Sequence, residues 1–477
     1  MKPPIYQGLS EYIKSQKNRF STPAHRGKIK MRTESLTRLD LGACADADDA
    51  VCLKSFMADG EKMVADIFGT DKSFYLTGGS DSGIYATLAS VCKAGDKIIL
   101  DPECDKAFIN AVTMLALIPI FLKRKYNSKY GISGGIDTEE LEYLTERYKD
   151  AKLVIIASPT YFGVCANIKK AIEIAHAKKM LLMVDESHGA HFNFGTAFPE
   201  TALECGADIV VHNLSKTLGG FTGSGLLHIK DNTISEKAIR EQLAIYQGAS
   251  SSFAYVCVAE NAIFYAFRKG KKYLPILREI ERGKFIINHT TEIMWFDTEY
   301  NNGANIDETD PMKIVLNFSK TDISVQNAVN ILETKYGIVP EAIDKDNLIF
   351  SVSLYNTPAE VRKLVDSCAA IGRGAKAKVK LEEETFRANK RKTVKVLPYK
   401  AFNCEGESVH YMDAEGRLLR KPLFKYPQGS ALAVPGEKLT ADHIATIGEY
   451  LKSGACINGI DEMHHIEVLS LSDSFGI

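Results

Sequence analysis

Short apolar runs alternate with amphipathic stretches between residues 62 and 228. The runs are rich in aliphatic and β-branched residues, and the stretches between them carry apolar residues at helical spacing. Continuous apolar strands separated by helices predict a mostly parallel sheet covered on both faces, and therefore an α/β fold. We expect seven strands, at residues 74–76, 97–100, 118–122, 153–156, 181–184, 209–211 and 225–228.

Further elements are predicted on either side of this region. Helical spacing of apolar residues predicts an N-terminal helix at 5–20, followed by a breaker-rich loop at 21–28. A helical region is expected at 234–293, and the tail from residue 393 alternates strands and turns. Residues 311–372 predict strand, helix, strand and helix in turn, at 313–316, 325–336, 348–352 and 358–371.

Composition narrows the class of protein. The 477 residues include 45% hydrophobic and 25% charged residues, which is typical of a globular protein and not of a disordered one. Lys and Arg (59) balance Asp and Glu (60), so no basic field points to nucleic acid or to an anionic membrane. The sequence contains neither an apolar segment long enough to span a bilayer nor a signal peptide pattern. The ten cysteines form no CxxC pair, so we expect a cytoplasmic chain with reduced thiols and no metal site.

Three polar motifs follow predicted strands, and each is weak alone. The first, TGGSDSG at 77–83, opens a helix and would suit a phosphate, although most glycine-rich turns are only turns. The second, VDESHG at 184–189, places Asp185 at a strand end, where an Asp often caps a turn. The third, HNLSKTLGG at 212–220, carries Lys216, which alone would be an ordinary surface lysine.

In combination the motifs match what pyridoxal phosphate requires. A lysine amine forms the covalent bond to the cofactor aldehyde, and a carboxylate keeps the pyridine nitrogen protonated. A helix N-terminus binds the cofactor phosphate. The order of phosphate cradle, Asp185 and Lys216 along the chain therefore favours a pyridoxal-phosphate enzyme.

The sequence also resembles a known family along most of its length. Residues 158–163 (SPTYFG) are similar to NPTYYG, and residues 185–192 (DESHGAHF) to DEAHGAHF. Residues 206–218 resemble GADIVVQSxHKTL, and 426–437 resemble YPPG followed by PGE. The chain is thereby identified as a relative of fold-type I pyridoxal-phosphate enzymes, and within them of the bacterial ornithine/lysine/arginine decarboxylases in the short form without a wing domain.

The resemblance implies a role for individual residues. Lys216 would be the Schiff-base lysine, Asp185 the partner of the pyridine nitrogen, and His188 a further catalytic residue close to the cofactor. It also implies an amino acid as the small-molecule substrate, and a homodimer or larger homo-oligomer with the active site at the subunit interface. The cofactor-binding set would be Gly79, Ser80, Asp81, Asp105, Thr160, Asp185, His188, Asn213, Ser215 and Lys216.

With this resemblance, four segments are expected. They are an N-terminal helix with an active-site loop at 1–60, a large pyridoxal-phosphate-binding domain at 61–310, a small α/β domain with a basic linker at 311–395, and a C-terminal α+β domain at 396–477. The basic stretch at 373–392 is typical of a solvated helix or linker.

The chain departs from the family pattern around the cofactor. Family members have a His in an NCHKS segment that stacks on the cofactor, whereas this chain has ECDKA with Asp105. Ser215 replaces the His before the lysine and gives the Ser-Lys pair common in aminotransferases, and Ala24 replaces a glycine. A GLDDLHHP-like segment keeps only its acids, Asp46, Asp48 and Asp49, which either pair with a basic substrate or form an exposed acidic loop.

Three interpretations follow from the scaffold and its departures. The first is decarboxylation of a basic amino acid, with Asp105 or His188 handling the proton. The second is another pyridoxal-phosphate reaction on the same scaffold, such as transamination, elimination or aldol cleavage. The third is a non-catalytic homologue, against which the retention of both Lys216 and Asp185 argues.

Overall fold

The computed structural model describes most of the chain. Several predicted features lie outside the described residues: most of the 5–20 helix, the acids Asp46, Asp48 and Asp49, and residues 379–392 of the basic stretch. The described residues are 14, 17–29, 36–39, 56–230, 233–247, 252–300, 303–378, 393–426 and 429–470.

A seven-stranded sheet forms the centre of the molecule, and each of the seven predicted runs supplies one strand. All neighbouring strands are parallel except Gly225–Ile229, which is antiparallel to both of its neighbours. The predicted mostly parallel sheet is therefore confirmed. In spatial order the strands are Lys72–Leu76, Gly225–Ile229, Ile209–Asn213, Leu181–Asp185, Leu153–Ala157, Lys97–Leu100 and Ile118–Phe121.

Both faces of this sheet are covered. Along the strand Leu153–Ala157, Val154 and Ile156 pack into one buried cluster, while Leu153 and Ile155 pack into another on the opposite face. Burial on both faces explains why these strands read as continuous apolar runs. The helices of this region are Phe56–Phe68, Gly79–Val91, Lys106–Met114, Thr138–Arg147, Ile168–Ala177, Ala202–Cys205, Leu214–Thr217, Glu236–Tyr246, Phe253–Lys269 and Tyr273–Thr290, with 3₁₀ turns at Phe192–Phe194 and Gly270–Lys272.

A second, antiparallel sheet follows in the chain. The predicted strands 313–316 and 348–352 are present as Lys313–Asn317 and Asn347–Ser351, which pair with each other. The sheet also contains Met294–Trp295 and Ala342–Asp344, which the sequence did not predict. Both predicted helices are present, as Val325–Ile331 continued by a π-helical turn at Leu332–Tyr336, and as Pro358–Gly374, with a 3₁₀ turn at Thr298–Tyr300 before the sheet.

The predicted N-terminal helix is wrong at its described end. Asn18–Arg19 is a strand parallel to Ile338–Val339, because Asn18 N donates to Gly337 O (2.7 Å). The side chain of Phe20 is fully buried and meets Phe350 edge to face. Pairing with a distant segment therefore overrides the local helical pattern here. A short helix, Leu36–Leu39, follows in the chain.

The tail contains helices as well as the predicted strands. Its own buried cluster includes Leu423, Ile447 and Val468. The residue pattern alone predicted only strands and turns here, whereas the α+β domain implied by the resemblance includes helices. The tail consists of helices Pro398–Asn403 and Ala441–Lys452, a 3₁₀ turn at Tyr411–Asp413, and strands Gly406–His410, Leu423–Tyr426, Ala431–Ala433, Cys456–Asn458 and His465–Leu469.

A separate two-stranded antiparallel ribbon is formed by Arg124–Asn127 and Ile132–Ile136. In the chain it follows Ile118–Phe121, a strand of the central sheet. No helix in the described part of the chain has both the length and the apolar character needed to cross a bilayer.

Candidate active site

A cleft opens where parallel strands of the central sheet end. The strands Leu181–Asp185 and Ile209–Asn213 run in the same direction, so their carboxyl ends bring Asp185 and the segment carrying Lys216 to one edge. The cleft has a volume of about 260 Å³, including the part open to solvent. It is lined by Glu103, Asp105, Ala157, Pro159, Tyr161, Asp185, His188 and Lys216.

Asp185 is the buried acid of the cleft. Its Oδ2 accepts from the backbone N of Asp105 (3.1 Å), and its Oδ1 accepts from Ser187 N (3.2 Å). Burial raises the pKa of the Asp185 carboxyl, while the positive charge of Lys216 opposes that rise. The carboxylate is thus fixed at the strand end and needs a positive partner in the cleft.

Lys216 lies in the short helix Leu214–Thr217, which Asn213 caps. Its Nζ is 3.6 Å from Asp105 Oδ2. Asp105 is also the N-cap of Lys106–Met114, since its Oδ1 accepts from Ala107 N (3.1 Å). One carboxylate therefore holds a helix start and faces the amine at the same time.

The tail of the chain reaches the same place. A Cβ added to Gly429, whose φ is +84°, would lie 3.2 Å from Asp105 Oδ2. The backbone angle favours glycine here, and a larger residue would also crowd the Asp105 carboxylate. The resemblance had already indicated this segment, but the sequence did not show that it touches the Asp105 side chain.

A polar cradle adjoins the cleft at the start of the helix Gly79–Val91. Gly79 has φ +76°, and its N donates to Gly223 O (2.7 Å). Asn213 Nδ2 donates to Ser80 Oγ (3.3 Å), and Ser215 Oγ donates to Asn213 Oδ1 (2.7 Å). The structure thus brings these four predicted residues together at a helix N-terminus, which attracts anions.

Asp81 lies in the first turn of that helix. Burial raises the pKa of its carboxyl, and the nearby charge of Asp105 adds to the rise while Lys216 opposes it. The same two groups therefore act on Asp81 and on Asp185, which places Asp81 within the electrostatic reach of the cleft.

His188 forms a buried wall of the cleft. Its ring meets the Tyr161 ring edge to face, with centroids 5.4 Å apart. Burial, followed by the charges of Lys216 and Lys313, lowers the pKa of His188 well below its usual value, so the ring is neutral at pH 7. Among the described residues, nothing forms a hydrogen bond with its Nδ1.

Of the predicted site residues, only Asp105, Asp185, His188 and Lys216 line the cleft itself, and Thr160 is not among them. Its hydroxyl accepts from Val164 N (3.2 Å), and its backbone N donates to Val164 O (2.9 Å). Both groups stabilise the turn that presents Pro159 and Tyr161 to the cleft.

Lys313 is a buried cation that sequence reasoning missed. Its Nζ donates to Ser351 Oγ (2.7 Å) and lies 4.7 Å from the centre of the Tyr161 ring. It supports the wall of the cleft from behind. The only signal in the sequence was a lysine at the start of an otherwise apolar strand. A lysine in that position is ordinarily expected to lie at the surface.

The N-terminal loop joins the lysine segment to the second sheet. Ala24 N donates to Ser215 O (2.7 Å), and Ala24 O accepts from Ser353 Oγ (2.7 Å). The buried Arg26 donates through Nη2 to Ser351 O (2.5 Å). The loop that the sequence singled out at 21–28 thus fixes the residue before Lys216.

The chain is similar to known proteins along nearly its whole length. The family model described as "Orn/Lys/Arg decarboxylase, major domain" matches residues 3–297. A curated relative named arginine decarboxylase, from Bacillus anthracis, is 26% identical over 96% of this chain and 95% of its own. Another of that name, from Bacillus subtilis, is 24% identical over 98% and 97%. The crystal structure of the lysine decarboxylase of Francisella novicida superposes with a TM-score of 0.74 at 17% identity, covering 98% of this chain and 83% of that one.

Proposed function

Since this chain belongs to the Orn/Lys/Arg decarboxylase family, we propose that its cleft binds pyridoxal phosphate and decarboxylates a basic amino acid through Lys216, Asp185 and His188. Membership confirms the predicted fold-type I class, the cofactor and the reaction class. The observation that supports the residue assignment is the constellation of Lys216 and Asp185 at one cleft, connected through Asp105.

The residues present fit this cofactor. Gly79, Ser80, Asn213 and Ser215 form a helix-start cradle of the kind that binds a phosphate. The Asp185 carboxylate lies buried at the strand end, where it would pair with the protonated ring nitrogen. When bound, the cofactor would withdraw electrons from the bond between the substrate carbon and its carboxylate.

Lys216 would hold the cofactor covalently and release it to the incoming amino group of the substrate. Lys216 is the one lysine among the described residues of the cleft lining. Asp105 orients its amine, with Oδ2 lying 3.6 Å from Nζ. His188 stays neutral and presents a flat ring face without adding charge. These three side chains therefore fix where the reacting carbon sits relative to the amine.

Decarboxylation breaks a carbon–carbon bond, releases carbon dioxide and leaves its electron pair on the substrate carbon, which then takes up a proton. In our proposal Lys216 and Asp105 hold that proton between them, since Nζ and Oδ2 are 3.6 Å apart. Asp105 would thereby handle the proton from the position at which the family motif has a histidine.

We also propose that the chain works in the cytoplasm as a homodimer or larger homo-oligomer, with the active site at the subunit interface. Large apolar side chains are exposed on two adjacent helices, including Phe264, Phe267 and Phe285, which supports a partner surface. The described cysteines are free thiols, which fits a reducing compartment. Light scattering on the holoenzyme tests the assembly, and a monomer would contradict it.

The reaction itself is tested by an absorbance spectrum of the holoenzyme, followed by addition of ornithine, lysine and arginine in turn. Released carbon dioxide and the product amine are assayed together. We expect both from one of the three. A cofactor spectrum that responds to substrate without carbon dioxide would favour transamination or elimination instead.

A further inference from the structure

Glu103 is a third carboxylate on the wall of the cleft, after Asp105 and Asp185, and lies outside the set of residues assigned above. It lies in the loop after the strand Lys97–Leu100, and its backbone N donates to Asp101 Oδ1 (3.0 Å). Its Oε1 accepts from Ser133 Oγ (2.6 Å), on the two-stranded ribbon. Fixed backbone and side-chain contacts therefore hold this carboxylate in place at the cleft.

The cleft carries more negative than positive side chains. Glu103, Asp105 and Asp185 face one lysine, and His188 is neutral. Under the proposed function, both Asp185 and Lys216 would bind the cofactor and so have partners. Asp105 faces the lysine, which leaves the Glu103 carboxylate as the negative group without an assigned partner.

No cation within the described residues neutralises Glu103. Its carboxylate has a hydroxyl as its hydrogen-bond partner and no Lys, Arg or His nitrogen at ion-pair distance in that part of the chain. Arg124 is close enough to feel its charge. However, Arg124 donates to Asp101 and to the carbonyls of Gly134 and Ala157.

We propose that Glu103 binds the distal cationic group of the amino-acid substrate and so selects basic over neutral side chains. This inference rests on the proposed function, because it concerns the substrate of the same cleft. A hydrogen bond between an ammonium or guanidinium group and a carboxylate is strong in a partly desolvated site. A neutral side chain of equal length leaves that carboxylate without its partner, and the site therefore discriminates against it.

The test compares Glu103→Gln with the wild-type holoenzyme on lysine and arginine and on their neutral analogues, norleucine and citrulline. We expect Glu103→Gln to raise KM for the basic substrate by about 10- to 100-fold, with a smaller change in kcat. The preference for the basic over the neutral analogue should collapse by a similar factor. Glu139→Gln, an exposed carboxylate on the helix Thr138–Arg147, serves as the matched control and should leave both values unchanged.

Glu103→Asp separates charge from fold. It keeps the carboxylate one methylene shorter, so it should retain a preference for basic side chains that Glu103→Gln lacks. Binding is read separately, by titrating the absorbance of the bound cofactor with lysine and with norleucine.

These readouts distinguish the two proposals. A wild type that releases no carbon dioxide, yet binds lysine over norleucine in a Glu103-dependent way, overturns the decarboxylase and supports Glu103. A wild type that decarboxylates, with unchanged KM and preference in Glu103→Gln, overturns Glu103 alone. Equal binding of lysine and norleucine by the wild type overturns it as well.

Discussion

The Nζ of Lys216 lies 3.6 Å from Oδ2 of Asp105, and the backbone N of the same Asp105 donates to Asp185 Oδ2 at 3.1 Å. One residue thus connects the amine and the buried acid on which the proposed chemistry depends. At this position the resemblance leads one to expect an imidazole ring. The chain therefore brings a negative charge to a place where its relatives by motif bring a flat aromatic surface.

Replacing Lys216 by Ala should abolish the visible absorbance band of bound pyridoxal phosphate, because no amine remains for the covalent bond. Lys216→Arg should give the same result, since a guanidinium stays charged and does not supply a free amine. Lys237→Ala, a change of an exposed lysine, should keep the band. The measurement is an absorbance spectrum after dialysis with the cofactor, and a normal band in Lys216→Ala would disprove the assignment.

Asp105→Asn removes the charge beside Lys216 and keeps a good N-cap for the helix Lys106–Met114. A carboxylate stabilises positive charge on the nitrogen that it faces. Once the carboxylate is removed, that nitrogen loses its proton at a lower pH. The pH midpoint of the cofactor's absorbance change should therefore fall by about one to two pH units. A spectrophotometric pH titration measures it, with the exposed Asp59→Asn as control.

Asp105→His restores the ring that the family motif contains. If Asp105 lies over the cofactor, this variant should change the spectrum or the distribution of products. A variant identical to the wild type in spectrum and in products would place Asp105 away from the cofactor face.

The central sheet and the residues at its strand ends were predictable from local pattern. A strand buried on both faces must be apolar throughout, and the polar residue that ends it stands out, as Asp185 does after Leu181–Val184. Because parallel strands end at one edge, order along the chain also placed Asp185 and Lys216 near each other.

The remaining contacts join segments that are far apart in sequence and leave no local signal. Asn18–Arg19 forms a strand only because Ile338–Val339 lies beside it. Gly429 approaches Asp105, and Lys313 lies behind Tyr161. Both contacts likewise depend on how distant segments of the chain pack together. Short strands and buried charges of this kind are specified by tertiary contacts, which override local propensity.

The ion pair between Arg124 and Asp101 is buried directly beneath the loop of Glu103. The side chains are 3% and 0% exposed, and Arg124 Nη2 lies 2.5 Å from Asp101 Oδ2. Arg124→Met should lower the free energy of unfolding by about 3–5 kcal/mol, because it leaves Asp101 charged and unpaired in the interior. Urea unfolding monitored by circular dichroism measures this.

An exposed ion pair provides the comparison for Arg124→Met. In Lys169→Met, which breaks a pair with Glu200 on the surface, the urea midpoint should hardly move. Equal effects of the two variants would show that the buried pair contributes nothing beyond a surface one.

A hydrogen-bonded chain of buried side chains begins at Glu186, just after the strand Leu181–Asp185, and crosses three further strands of the central sheet. Glu186 Oε2 is 2.7 Å from His212 Nε2, and His212 Nδ1 is 3.1 Å from His228 Nε2. His228 Nδ1 is in turn 2.8 Å from Ser73 Oγ. Burial, together with the neighbouring His212, lowers the pKa of His228 well below its usual value.

This depressed pKa should make the fold sensitive to acid. Below about pH 6.5 the unfolded chain protonates His228 while the folded chain does not, so stability is retained above that pH and falls as the pH decreases. Each such histidine contributes a slope of about 1.4 kcal/mol per pH unit. His228→Asn should therefore show a shallower loss of unfolding free energy between pH 7.5 and 5, measured by urea titration at each pH. The exposed His289→Asn should keep the wild-type slope. A wild-type slope in His228→Asn would show that His228 is not the group that couples stability to pH.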